Sequence, residues 1–203
     1  MGGMGSTTRP YKGRTADERR TERRGRLLAA GLELWGDHGW AAVTMRGVCA
    51  HAGLNDRYFY ESFPDVEALL LAVYDQALSD LLTYVERAIA AEPLPEERIR
   101  AGMSLFVNAM ASDSRRARIG LAEPAGSPAL EQRRRDTYHL FARFARDSLR
   151  PADEEAFTVA MLFALGGAGE LVINWLGGSL ALTPDELAER ASELVLSVIL
   201  PYL

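Results

Sequence analysis

Between Thr44 and Phe63 the chain reads as two short helices joined at a single glycine, Gly53. Thr44 is an N-cap candidate for the first, which ends at Ala52. Asn55 is placed to cap the second, which carries Tyr58, Phe59 and Tyr60 before Phe63-Pro64 stops it. A short turn containing glycine lets the second helix leave the first at a steep angle and lie in the major groove of double-stranded DNA. The rest of the chain must then account for dimerisation and control.

The surrounding pattern is helical throughout. A helix from about Ala16 to His38 has apolar positions Leu28, Gly31, Leu32 and Trp35 at i, i+3, i+4 and i+7, and Gly39 fits a left-handed terminating residue. Asp65 opens a long fourth helix to about Ala91, which Pro93 and Pro95 end. Further helices are expected from about Glu96 to Met110, Arg115 to Glu123, Pro128 to Leu149, Asp153 to Trp175 and Pro184 to Leu200. No convincing alternating strand pattern and no internal repeat interrupts them, so the fold class is all-α. The expected organisation is an arm over 1–14, mobile and without periodicity, a helix-turn-helix head over 15–64, and a ligand-binding and dimerisation body over 65–203.

Charge supports this division. Residues 1–63 carry 10 basic against 7 acidic groups, whereas 64–203 carry 13 against 21. The overall net charge of −5 therefore hides a basic head, and residues 1–26 alone hold 8 basic and 3 acidic groups, as expected of a segment that approaches phosphates. Only Lys12 is a lysine, and the other basic residues are arginines, which suit bidentate contacts to phosphate and guanine. Arginine is also frequent in the acidic body, which points to a composition bias as well.

Residues 27–70 resemble the DNA-binding head of TetR-family transcriptional regulators. The resemblance rests on Leu27-Leu28, Ala30, Trp35, Gly39-Trp40, Thr44, Val48, Ala52-Gly53, Phe59-Tyr60, Phe63 and Glu67-Ala68-Leu69. It implies a nine-helix subunit that dimerises through its last two helices and binds a palindromic operator. It also implies release when a small molecule inside the body moves the fourth helix. Carried over by position, Thr44, Arg46, Asn55, Arg57, Tyr58 and Tyr60 match places that touch DNA, with the Tyr60 hydroxyl directed to a phosphate. Arg46 and Arg57 are the candidates for base edges, because arginine fits guanine O6 and N7 bidentately. Thr44 can cap its helix, bond a phosphate, or do both.

Departures from the pattern carry information too. Val66 stands where a lysine is usual, which removes one phosphate contact. Gly47 replaces the acidic residue three after the cap, so the capping box is lost and the second helix is expected to firm up on DNA. Asp56 and Glu61 place acid near the DNA face. Asp56 can accept from cytosine N4 or simply favour the helix dipole.

In the body, Met103, Phe106 and Met110, then Tyr138 and Phe141, then Met161, Asn174 and Trp175 supply apolar walls with a few polar handles. That composition suits a small-molecule pocket for a mostly apolar effector, and equally a plain core. Gly166, Gly167 and Gly169 cost helix stability and so imply close packing. With Leu187, Ala191, Leu194, Val198 and Ile199 of the last helix they are expected to form a four-helix interface in a homodimer. A body that only dimerises or binds a protein partner, with no effector, remains the alternative.

Other chemistries lack residues to stand on. Cys49 is the only cysteine, so no intrachain disulfide or cysteine-clustered metal site is possible. It is expected to be a buried thiol facing the first helix, with a redox switch as the other reading. His38, His51 and His139 are too scattered for a metal site, and no cofactor or catalytic group is expected. The N-terminus has no apolar signal core, and the run Ala156–Gly169 is short of a membrane span. The sequence therefore points to a cytoplasmic regulator with no membrane partner.

Overall fold

The computed structural model describes residues 15–122 and 127–203. The expected arm over 1–14, and Glu123 at the end of the expected sixth helix, lie outside the described residues. Those described form nine α-helices and no strand. They are α1 (Ala16–His38), α2 (Met45–Ala52), α3 (Asp56–Tyr60), α4 (Val66–Ala91), α5 (Pro95–Ser112), α6 (Ser114–Ala117), α7 (Pro128–Leu149), α8 (Glu154–Leu176) and α9 (Pro184–Ile199).

Local hydrogen bonds explain most of these boundaries. The side chains of Thr44, Asn55, Asp65 and Asp153 accept from the amides of Gly47, Tyr58, Ala68 and Ala156 at 2.7–3.3 Å, satisfying donors that a helix start leaves unpaired. Thr15 with Glu18 and Thr183 with Glu186 close full capping boxes. α2 forms with its threonine cap alone. Gly53 is left-handed (φ 61°, ψ 39°) and turns the chain into α3. Gly39 also has positive φ, but at φ 85° and ψ 156° it lies outside the left-handed helical well, in a region open almost only to glycine, and a 3-10 turn over Trp40–Ala42 follows it. The sixth helix is shorter than expected, because after Ala117 the chain widens into a π-helical turn, Arg118–Ala122.

One core joins the head to the start of the body. Trp35, Val48, Phe59 and Phe63 pack with Leu69, Val73 and Ala77 of α4, and Ile119 from the π-helical turn enters the same cluster. Two further cores fill the body: one around Leu81, Val107, Met110 and Val172, the other around Phe157, Met161, Leu196 and Ile199. α4 and α8 each meet the length and composition of a membrane span. The run Ala156–Gly169, read as too short, belongs to a 23-residue helix that includes Glu170. Phe157, Met161 and Val172 on α8 are buried inside the subunit.

Candidate nucleic-acid interface and the body cavity

α3 presents a polar surface because one residue anchors it. Of Asp56, Arg57, Tyr58, Phe59 and Tyr60, only Phe59 is buried; its ring lies 5.9 Å from Phe63 and 5.6 Å edge-on to Tyr60. The turn before it is tied down by Arg26 of α1, whose guanidinium donates to the carbonyls of Ala52 and Gly53. A Cβ on Gly53 would sit 3.1 Å from that guanidinium, a second reason for glycine there.

The expected contact residues lie on this unit. Thr44 and Asn55 are exposed and serve as caps, with lone pairs left for a further donor. Arg46 is exposed, and the Tyr60 side chain projects at 60% exposure. Tyr58 is half-buried beneath the guanidinium of Arg23, 4.4 Å from its ring centre. Arg57 reaches outward at 82% side-chain exposure, with its Nε donating to Glu61 at 3.0 Å. Glu61 also receives Arg23 at 3.4 Å, and its carbonyl receives Arg20 at 3.0 Å. Its carboxylate is thus neutralised and clasps α3 to α1. The i, i+4 spacing of Arg57 and Glu61 was visible in the sequence, but the arginines of α1 were not traceable to it.

Cys49 is buried with its Sγ 3.9 Å from Met45 Sδ. Burial, and secondarily Asp56, pushes its thiol pKa up. His51 pairs with Glu33 of α1 rather than with Cys49. No metal-holding group of three or more His, Cys, Asp or Glu occurs among the described residues.

The body holds a cavity of about 130 Å³. Of the residues proposed for a pocket, Met103, Phe106, Tyr138, Phe141 and Met161 line it. Three expected residues do not. Met110 is packed in the core with Val107 and Val172. The Asn174 amide turns back onto Glu170, and the Trp175 indole donates to the Leu182 carbonyl at 2.7 Å. The missed wall is α4, where Tyr74, Leu78, Leu81, Val85 and Ile89 form one stripe along the cavity. At 1.5 Å per residue it extends roughly 22 Å. Gly169 has its packing reason inside the subunit, since a Cβ there would fall 3.0 Å from the Tyr138 hydroxyl.

Polar groups in the cavity wall are few. Arg98 donates to the carbonyls of Glu92 and Ser148 at 2.8 and 2.9 Å. Tyr74 is 1% exposed, and burial pushes its pKa up to about 12. Thr137 approaches its hydroxyl, but the Thr137 hydroxyl donates to the Arg133 carbonyl at 2.9 Å and completes no hydrogen bond with Tyr74.

A short segment touches both regions. Arg118 donates to the Gly36 carbonyl of α1 at 2.8 Å, and the Arg115 stem lies where a Gly36 Cβ would stand, 2.6 Å from its Cγ. Two residues after Arg118, Gly120 and Leu121 line the cavity.

The outer face of α8 and α9 remains open. Val159, Phe163 and Leu194 are 65%, 72% and 55% exposed, and Cβ atoms on Gly166 and Gly167 would meet nothing within 4 Å. Val198 is half-buried beside them. Leu187 and Ala191, expected at a subunit interface, are instead 1% and 2% exposed within the single chain. They have no area left to give a partner, because they occupy the inward stripe of α9. Val159 and Phe163 take their place on the open face.

Known proteins share the head and the helical fold. Residues 27–73 match the model for bacterial regulatory proteins of the tetR family. The HTH-type transcriptional activator FasR of Mycolicibacterium smegmatis is 31% identical over 100 residues, which cover 49% of this chain and 46% of FasR. The HTH-type transcriptional regulator EthR of the same organism is 28% identical over 129 residues, covering 63% of this chain and 59% of EthR. The alignments thus span roughly half the length of these curated relatives. The fold extends further: the transcriptional regulator FadR from Bacillus subtilis, solved in complex with stearoyl-CoA, superposes with a TM-score of 0.72 over 86% of this chain and 98% of FadR at 16% identity. Residues 27–73 thus carry the head of the tetR family of bacterial regulatory proteins, and the chain shares the all-helical fold of FadR beyond it.

Proposed function

We propose that the protein is a DNA-binding transcriptional regulator, a homodimeric repressor that leaves a palindromic operator when a mostly apolar small molecule enters the body cavity. The observation that carries the DNA-binding reading is α3 itself, a short helix fixed by buried Phe59 with Arg57 and Tyr60 left outward. Arg57 and Arg46 read base edges, Tyr60 and Thr44 engage phosphates, and Asn55 and Tyr58 complete the contact surface. Two heads related by a two-fold axis reach half-sites about one helical turn, ~34–36 Å, apart. The open face of α8 and α9 supplies the contact between subunits, centred on Phe163.

The effector reading is supported by the apolar cavity and by the complex of FadR, which shares the fold, with stearoyl-CoA, a ligand that carries a long acyl chain. Entry of a ligand displaces Gly120 and Leu121, and Arg118 carries that displacement to α1 through Gly36. The protein acts without a cofactor, and it works in the cytoplasm, where its DNA lies.

The test is selection of genomic fragments by the purified chain, followed by fluorescence anisotropy titration of the winner at two salt concentrations. A palindrome bound by two subunits, with affinity falling steeply as salt rises, is the expected result. Arg57→Ala is expected to cost about 1–3 kcal/mol and relax one base position, whereas Tyr60→Phe weakens all sites uniformly. No enrichment over non-specific DNA would remove the DNA-binding reading. Affinity that rises on filling the cavity would make the protein ligand-recruited rather than ligand-released.

A further inference from the structure

Tyr74 is the one cavity residue whose chemistry the effector reading leaves unused. Its hydroxyl oxygen is buried and has no hydrogen-bond partner among the described residues. Buried tyrosine hydroxyls ordinarily find one. It stands at the head end of the α4 stripe, with Leu78, Leu81, Val85 and Ile89 continuing away from it. A cavity that follows α4 over roughly 22 Å suits a chain-like molecule better than a fused ring system.

Resting on the reading that this cavity takes an effector, we propose that the effector is a neutral molecule with an extended aliphatic body and a terminal carbonyl oxygen that accepts a hydrogen bond from Tyr74. The orphaned group is a hydroxyl, and a lone pair is what satisfies its hydrogen; a ligand offering only a donor would leave that hydrogen buried and unpaired. Charge selects against a carboxylate at this end. The arginines close by are committed, Arg133 to Asp75 at 3.3 Å and Arg134 to Glu131 at 2.6 Å. Burial already disfavours an anion, since it holds the Tyr74 hydroxyl protonated to about pH 12 against the opposing pull of Arg134. At the far end, Arg98 holds two main-chain carbonyls through its Nε and Nη1, which anchors the guanidinium to the backbone. Leu78 and Gly120 in the same wall accept only the aliphatic body, while the Thr137 hydroxyl is spent on the Arg133 carbonyl and Tyr138 lies against Arg134.

The test is displacement of an environment-sensitive fluorescent dye from the full chain by three probe sets of matched length: straight-chain methyl ketones, terminal alkenes and fatty acid anions. In the native chain the ketone is expected to bind about tenfold more tightly than the alkene, the yield of one net hydrogen bond. In Tyr74→Phe that gap closes to within about twofold, while the melting temperature stays level or rises, because the substitution deletes an unsatisfied buried hydroxyl. Equal binding of ketone and alkene by the native chain, which needs no variant, overturns the role of Tyr74 and leaves the effector cavity standing. An undiminished ketone preference in Tyr74→Phe does the same. Tightest binding by the fatty acid anion overturns the neutral class. Failure of every probe to bind removes the effector reading together with the inference.

Discussion

Replacing Phe163 by alanine separates a subunit interface from an ordinary surface. The side chain is 72% exposed in the single chain; Val159, one turn earlier on α8, is 65% exposed and Leu194 on α9 is 55% exposed. A phenylalanine buries roughly 150–250 Å², so roughly 140 Å² of Phe163 remains for a partner to cover. At about 25 cal/mol per Å² that area is worth about 3.5 kcal/mol at most, of which the alanine methyl keeps a part. In a two-fold interface every substitution occurs twice. Allowing for incomplete coverage, Phe163→Ala is expected to weaken the dimer by about 3–5 kcal/mol, a shift of about 10²–10³-fold or more in the dissociation constant.

Sedimentation from nanomolar to micromolar concentration reads this shift directly. The control is Leu187→Ala, because Leu187 is 1% exposed and belongs to the subunit's own core. Its loss is expected to cost about 2–5 kcal/mol of folding stability. Phe163→Ala, by contrast, should change the stability of the separated subunit by about 0.5 kcal/mol or less. A native chain that stays monomeric at micromolar concentration would refute the reasoning. So would a Phe163→Ala variant with an unaltered midpoint.

Cys49 is expected to resist maleimide at neutral pH in the folded protein and to react readily once denaturant exposes it, since burial both blocks access and raises its pKa; rapid modification of the native chain would mark it as reactive. Asp113 should make stability depend on acid. Arg115, bonded to it at 2.9 and 3.1 Å, lowers its pKa in the folded state, so its contribution is whole above the ordinary carboxylate range and is lost as pH falls through the depressed folded value. Asp113→Asn is expected to flatten the acid limb of a stability profile measured by denaturant titration between neutral pH and pH ~2.

The helix boundaries were legible because they are local. Thr44, Asn55, Asp153 and Thr183 each accept from the amide three residues on, so the residue type and its place before an apolar run were enough. α8 and α9 were harder. α8 is apolar nearly all round, and its periodicity does not say which stripe the chain keeps for itself; Phe163 and Met161 look alike in sequence and lie on opposite sides. α9 has a clear inward stripe, yet Leu187 on that stripe and Leu194 outside it were both read as interface. The cavity posed a third problem. Spacing places Met103, Phe106 and Met110 inside, but only packing against α4 and α8 decides which inward side chains leave space between them, and there Met110 is filled in and Tyr74 is not. The π-helical turn over Arg118–Ala122 had no local signal, since it depends on what its residues meet on either side.

That turn is where the cavity and the head share residues. Arg118 bonds the Gly36 carbonyl, Ile119 is fully buried in the head's core, and Gly120 and Leu121 face the cavity. Four consecutive residues are therefore divided between the two regions, and a rigid displacement of one pair must move the other. Coupling is a free energy between two sites, separable from the affinity of either. Arg118→Ala removes the bond to α1 while leaving both the cavity wall and α3 intact. It is expected to leave ligand-free operator affinity and ketone affinity each within about threefold of native, and to lower the effect of saturating ketone on operator affinity by about 5–10-fold. An unchanged ratio would locate the coupling in α4, whose Tyr74 and Val73 also stand between the cavity and the head's core. Loss of either affinity alone would show that Arg118 holds the fold at that site rather than linking the two.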